Sequence, residues 1–132
     1  MTKSAIATEN LSKSYGSTLA LGALSLEVAA GEVFGLLGHN GAGKTTTVNV
    51  LTTLLEPTSG NAEVAGHSVT ADAVGVRRSI GYLPENVQFY DNLTLMENLR
   101  FFAELSGLRR PGQRIRDVLH ILDFEGRDRQ RL

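Results

Sequence analysis

One stretch constrains this chain more than any other: Gly38-His39-Asn40-Gly41-Ala42-Gly43-Lys44-Thr45-Thr46. It satisfies the phosphate-loop pattern G-x-x-x-x-G-K-[ST] without a mismatch. Glycines let the backbone turn tightly, so that successive N–H groups form a concave nest for phosphate oxygens. The helix that follows such a loop adds its positive N-terminal end. Lys44 supplies a point charge for β- and γ-phosphates, and the Thr45 hydroxyl is a hard oxygen ligand of the kind Mg²⁺ prefers. The flanks suit the chemistry. Val33-Phe34-Gly35-Leu36-Leu37 is an apolar run of strand length before the loop, and residues 45–55 are compatible with a helix after it.

A chain of 132 residues is long enough for one domain with a real core. The net charge of −1 gives no general drive toward nucleic acid. Residues 1–99 hold 5 basic and 9 acidic groups and residues 100–132 hold 8 and 5, which reads as a solvated basic face rather than a polyanion site. There is no cysteine, so no disulfide or thiolate metal site forms. His39, His67 and His120 stand apart, which leaves Mg²⁺ as the one metal expected. No apolar run approaches the roughly 18–20 residues of a membrane span, and the N-terminus lacks the apolar core of a signal peptide.

Along the chain, residues 5–11 have strand character, Ser12-Lys13-Ser14-Tyr15-Gly16 reads as a turn, and residues 19–28 alternate as a second strand. Its apolar positions are Leu19 and Leu21, then Leu24, Leu26 and Val28. Together these predict an antiparallel hairpin. Glu56-Pro57-Thr58-Ser59-Gly60 is a strong turn signal. Short strands are expected at residues 61–64 and at Val69, and a short helix over 72–78. Residues 80–83 read as a buried strand stopped by Pro84. After a polar loop, Thr94 and Glu97 form a capping box. The helix they open carries Leu95, Leu99, Phe102 and Leu105 at helical spacing and ends at Gly107. Pro111-Gly112 leads into a further helix carrying Ile115, Val118, Leu119 and Leu122. Residues 126–132 are polar and uncommitted.

These pieces, in this order and over essentially the whole chain, resemble the nucleotide-binding subunit of ATP-binding cassette (ABC) transporters. The resemblance implies an α/β phosphate-loop NTPase core of ABC type, N-terminal part, with an antiparallel β subdomain and the start of a helical subdomain. Residues 1–92 would form the β subdomain and loop core, and residues 93–132 the start of the helical part. Residues 10–16 are similar to the family's aromatic loop, which places Tyr15 against adenine; a flat ring suits a purine face. Residues 80–99 resemble the segment around the family's Q-loop. Glu85 stands where most members have Gln. A carboxylate still ligates Mg²⁺, and the Tyr82-Leu83-Pro84-Glu85 form is similar to that of export-type members. Phe89 and Tyr90 are candidate docking residues for the membrane subunit.

Two imitations are set aside. Leu105-Ser106-Gly107-Leu108-Arg109 copies half of the family signature, but Gly107 closes a helix where a signature opens one. Val118-Leu119-His120-Ile121-Leu122-Asp123 resembles a Walker B strand, but the apolar spacing from Ile115 is helical, and Phe124 separates Asp123 from Glu125. On this reading the chain carries no signature, Walker B Asp, catalytic Glu or switch His.

The resemblance therefore implies binding of ATP and Mg²⁺ through Tyr15, residues 38–46 and Glu85, without turnover by this chain alone. It implies a transmembrane permease partner, pairing with a like or second nucleotide-binding subunit, and a cytoplasmic location at the membrane's inner face. The alternatives are a non-catalytic fragment that self-associates or needs a partner, and a small phosphate-loop kinase or GTPase using Asp123. The transported substrate is not legible in these residues.

Overall fold

The computed structural model describes residues 4–124 and 126. The chain divides into two compact units, Met1–Tyr82 and Leu83–Leu132.

The first unit is built on a four-stranded antiparallel sheet. Its strands are β1 (Ser4–Tyr15), β2 (Thr18–Ala29), β3 (Ser59–Val64) and β4 (His67–Ser68), in the order β2-β1-β3-β4. The expected hairpin is present. However, the strand runs through the segment read as a turn at 12–16, and the chain reverses only after Tyr15, which faces Thr18. The skip in the apolar pattern between Leu21 and Leu24 is a β-bulge. Ala23 has φ 44° and the register shifts between Leu11↔Leu24 and Lys13↔Leu21.

Short polar side chains repair the ladder around these irregularities. The buried Thr8 hydroxyl donates to the Leu24 carbonyl and accepts from Leu26 N–H, each at 3.0 Å. The Ser12 hydroxyl accepts from Ala23 N–H at 2.8 Å. β3 crosses the opposite bulge of β1 at Gly60. Its φ is +79°, and a Cβ there would overlap the Asn10 carbonyl, so only glycine fits.

The loop helix α1 is Lys44–Leu51, shorter than the expected 45–55. Leu54 N–H and Leu55 N–H both return to the Asn49 carbonyl, and Thr53 turns to φ 62°. The consecutive β-branched residues Thr52 and Thr53 are poor helix formers, and the Thr53 hydroxyl instead accepts from Arg77 at 2.9 Å. α2 (Ala73–Ser79) is capped by Asp72, whose carboxylate accepts from Gly75 N–H. Leu11, Leu21, Val50, Ala62, Val64, Val69 and Val76 form the core of this unit.

Two expected strands are corrected. Residues 33–37 and 80–83 carry no ladder hydrogen bonds. Val33 is 100% exposed, Leu37 92% and Leu83 82%. Their apolar character suits a strand flanked on both sides. Among the described residues no strand lies beside either, so they stay irregular and largely open to solvent, although Ile80 packs partly buried against the core of the first unit.

The second unit contains α3 (Leu95–Leu105) and α4 (Gly112–Ile121). The capping box is formed as expected: the Thr94 hydroxyl accepts from Glu97 N–H and the Glu97 carboxylate accepts from Thr94 N–H. α3 closes at Gly107 with paired return bonds, Gly107 N–H to Glu104 O and Leu108 N–H to Ala103 O. The stripe on α3 is less buried than its spacing suggests. Leu105 is exposed, while Asn98, a polar residue, is fully buried. α4 buries Ile115 and Leu119 and leaves Val118 and Leu122 exposed. Residues 118–121 are helical, so the Walker-like run is not a strand. Glu125 and residues 127–132 lie outside the described residues.

Candidate phosphate-binding loop

The loop between residues 38 and 46 is held by its own atoms. Gly41 and Gly43 both have φ +86°. Gly43 is the N-cap of α1, and a Cβ there would sit 2.7 Å from the Ala20 carbonyl of β2. The close approach of β2 therefore requires glycine at this position.

The Lys44 ammonium folds back over the loop and donates to the carbonyls of Gly38 at 2.6 Å and His39 at 2.7 Å. Ala42 N–H closes onto His39 O at 3.1 Å, and the His39 ring Nδ1 lies 2.8 Å from the Asn40 carbonyl. Among the described residues, the N–H groups of Gly41, Gly43, Lys44, Thr45 and Thr46 find no acceptor. No side chain caps α1 and its first turn carries no acidic residue. These unsatisfied donors at a helix N-terminus, beside a lysine, suit an anion of several oxygens.

Two threonines on α1 play different parts. The buried Thr47 hydroxyl is committed to the Gly43 carbonyl at 2.8 Å and anchors the loop to the helix. The Thr45 hydroxyl is exposed and has no partner among the described residues, so it is available to a cation. This donor set fits Mg²⁺ carried by a phosphate chain, because hard oxygens and retained waters are what that ion takes.

Tyr15 lies in the same unit, at the end of β1, and is 54% exposed. Lys13 Nζ stands 5.3 Å from the ring centroid. Sequence reading missed this neighbour, because it placed Lys13 in a turn. Residues i and i+2 of a strand share a face, and that spacing is the signal that would have found it.

Glu85 belongs to the second unit, in an exposed bend. The loop that follows it ends in a small aromatic cluster. The Tyr90 ring centroid is 5.2 Å from that of Phe101, edge to face, and Phe89 meets Phe102 at 6.2 Å. The cluster is fastened by Asn98. Its amide accepts from Tyr90 N–H at 2.8 Å and donates to the carbonyls of Tyr90 and Thr94, each at 3.1 Å. A buried side chain with its hydrogen-bonding capacity filled locally is a fixed support, and nothing in its sequence position announced it.

Known proteins give the loop its context. The family description "ABC transporter" matches residues 21–132. The chain is 44% identical over 104 residues to the phospholipid-transporting ATPase ABCA3 of Homo sapiens, covering 77% of this chain and 6% of that protein. It is 43% identical over 126 residues to the daunorubicin resistance ATP-binding protein DrrA3 of Streptomyces coeruleorubidus, covering 94% and 40%. A solved ATP-binding subunit of an ABC transporter superposes with a TM-score of 0.81 at 31% identity, over 96% of this chain and 53% of that one. The chain thus spans about half or less of the length of these relatives. It belongs to the ABC transporter family and has the fold of the N-terminal part of that family's ATP-binding domain.

Proposed function

We propose that this chain binds Mg·ATP as part of the engine of a membrane transporter. The observation that carries the reading is the closed loop at 38–46, with its five unsatisfied N–H donors and the Lys44 ammonium bridged across it. The N–H groups and Lys44 would hold the phosphates, and Lys44 would exchange its carbonyl partners for phosphate oxygens. The exposed Thr45 hydroxyl would take Mg²⁺. The Tyr15 ring would stack on adenine. Mg²⁺ when bound neutralises phosphate charge; the chain's own residues position and orient.

Coupling to a permease through Phe89 and Tyr90 at the membrane's inner face, and pairing with a second nucleotide-binding subunit, belong to the same proposal. The exposed aromatic cluster supports the first of these. Export is supported by Tyr82-Leu83-Pro84-Glu85 and by a relative named for daunorubicin resistance. Without a Walker B Asp and its following Glu, the chain is proposed to bind without turning over.

Calorimetry with Mg·ATP, run beside phosphate release, tests this. Binding that Lys44→Ala abolishes, with no release above that control, is the expected result. Release above the control would return Asp123 and Glu125 to consideration as catalytic groups. Binding unaffected by Lys44→Ala would sink the phosphate-loop reading.

A second reading is favoured by one observation, the full exposure of Val33 and near-full exposure of Leu37 in an extended apolar run. Such a run is a template for pairing with another chain. Sedimentation showing oligomers, with weak nucleotide binding, would favour self-association as the chain's behaviour in isolation.

A further inference from the structure

Lys13 has no part in the reading above, yet it is tied down at both ends. β1 places it on the same strand face as Tyr15. Its ammonium lies 5.3 Å from the Tyr15 ring centroid, inside the roughly 6 Å reach of a cation–π attraction. The same ammonium donates to the Glu56 carbonyl at 2.8 Å and meets no carboxylate among the described residues. The segment that offers this carbonyl is itself fastened to β1. Thr58 N–H donates to Ser12 O at 2.8 Å, and Ser14 N–H donates to the Thr58 hydroxyl at 3.0 Å. A surface lysine normally samples many rotamers; this one is a strut between the 56–58 turn and an aromatic ring.

A phenol ring has two faces, and the ammonium takes one. Tyr15 stays half-exposed at the tip of the β1–β2 hairpin, where nothing else among the described residues packs rings against it. We propose that Lys13 is a positioning residue for the nucleotide base: it holds the Tyr15 ring from one side and leaves the opposite face for a purine. The inference rests on Tyr15 stacking the base. Its physical content is preorganisation. A ring at an exposed strand end loses rotational freedom when a base stacks on it, and a ring already held loses less.

The alternative role for a lysine near a nucleotide is charge attraction to phosphates. The two separate cleanly with a ligand that has phosphates but no base. Mg·ATP and Mg·tripolyphosphate are titrated by calorimetry into the full chain, its Tyr15→Ala, Lys13→Met and Lys13→Arg variants, and the Tyr15→Ala/Lys13→Met double variant. Melting curves on each confirm the fold. Methionine keeps a long unbranched stem and removes the cation; arginine keeps the cation.

Lys13→Met is expected to weaken Mg·ATP about 2–5-fold, the range of an exposed cation–π contact, and to leave tripolyphosphate unchanged. Lys13→Arg restores the affinity for ATP. In the Tyr15→Ala background Lys13→Met has no further effect, because the ring it supports is gone. Unchanged ATP affinity in Lys13→Met overturns the proposal. So does equal weakening of both ligands, which would mean charge attraction, or the same loss with and without the Tyr15 ring. If Tyr15→Ala itself leaves the ratio of the two affinities untouched, base stacking on Tyr15 is what fails, and the role of Lys13 falls with it. If the unaltered chain binds neither ligand, the phosphate-loop reading fails before either.

Discussion

The β1–β2–β3 sheet and the run into the phosphate loop are both rich in apolar residues, and they end in opposite states. In the sheet, Leu11 and Val64 are buried and the strands exchange hydrogen bonds along their length. In residues 33–37 no ladder forms and Val33 lies wholly in solvent. The difference is one of neighbours rather than of composition. An antiparallel hairpin finds its partner a few residues away, across the turn after Tyr15. An apolar strand of the kind that feeds a phosphate loop is flanked on both sides in a parallel sheet, by strands distant in sequence. Burial in this molecule follows the partner.

The sharpest way to break that comparison is to delete the same side chain in both regions. Leu11→Ala removes a fully buried leucine from the core around Val50 and Val76. It is expected to cost about 2–5 kcal/mol, transfer and cavity terms together. Leu37→Ala removes a leucine that is 92% exposed and is expected to change stability by less than about 0.5 kcal/mol. Urea melts followed by circular dichroism measure both. A comparable cost at the two sites would mean that residues 33–37 are packed in solution and that the contrast is wrong.

Glycine gives a second, smaller contrast. Gly60→Ala puts a Cβ onto the Asn10 carbonyl at a backbone with φ +79°. A loss of about 2–3 kcal/mol is expected, from the strained backbone and the displaced β1 bulge. Gly35→Ala meets no atom within 4 Å. There the alanine only restricts the unfolded chain, so stability is expected to hold or to rise by about 0.5 kcal/mol. The same melts decide, and a penalty at Gly35 above 1 kcal/mol would reveal a close neighbour in solution that the structure lacks.

The contrast also explains what could be read in advance. The phosphate loop was legible because its chemistry demands particular residues at particular spacing. The Thr94–Glu97 capping box and the helix stop at Gly107 were legible because they are local. The second strand was legible from its alternation, although the bulge at Ala23 emerges only from the register with β1. Three things were not legible. The strand through Ser12–Tyr15 looked like a turn, because Ser and Lys lead up to Gly16, and only pairing with β2 and the 56–58 turn makes it extended. The early end of α1 depends on Arg77 reaching Thr53 from 24 residues away. The burial of Asn98, a polar residue within an amphipathic helix, comes from the Tyr90 backbone folding back onto α3. Each miss is a tertiary contact overriding a local preference.

Two helix caps sharpen the lesson at the smallest scale, because they differ in charge. Thr94 caps α3 with a hydroxyl, and Thr94→Ala is expected to cost about 1 kcal/mol. Asp72 caps α2 with a carboxylate that accepts from Gly75 N–H at 3.0 Å and meets His67 Nδ1 at 2.7 Å. The backbone hydrogen bond from Gly75, then the hydrogen bond with His67, hold its carboxyl below the usual aspartate range, with Arg78 adding a weaker pull. A depressed folded-state pKa means that the unfolded chain takes up the proton first as pH falls. The contribution of Asp72 is therefore complete above the unfolded value near 3.8 and is lost as pH drops through the lower folded value. Because the carboxylate is open to solvent, the effect is small and weakens with salt. Melting midpoints of the unaltered chain and Asp72→Asn should differ in favour of the carboxylate at pH 6–7 and converge in acid, once the pH has dropped below the lowered folded value. A gap that persists unchanged into strong acid would show that the advantage over Asn does not come from the charge, and no gap at pH 6–7 would show that a neutral acceptor caps α2 equally well.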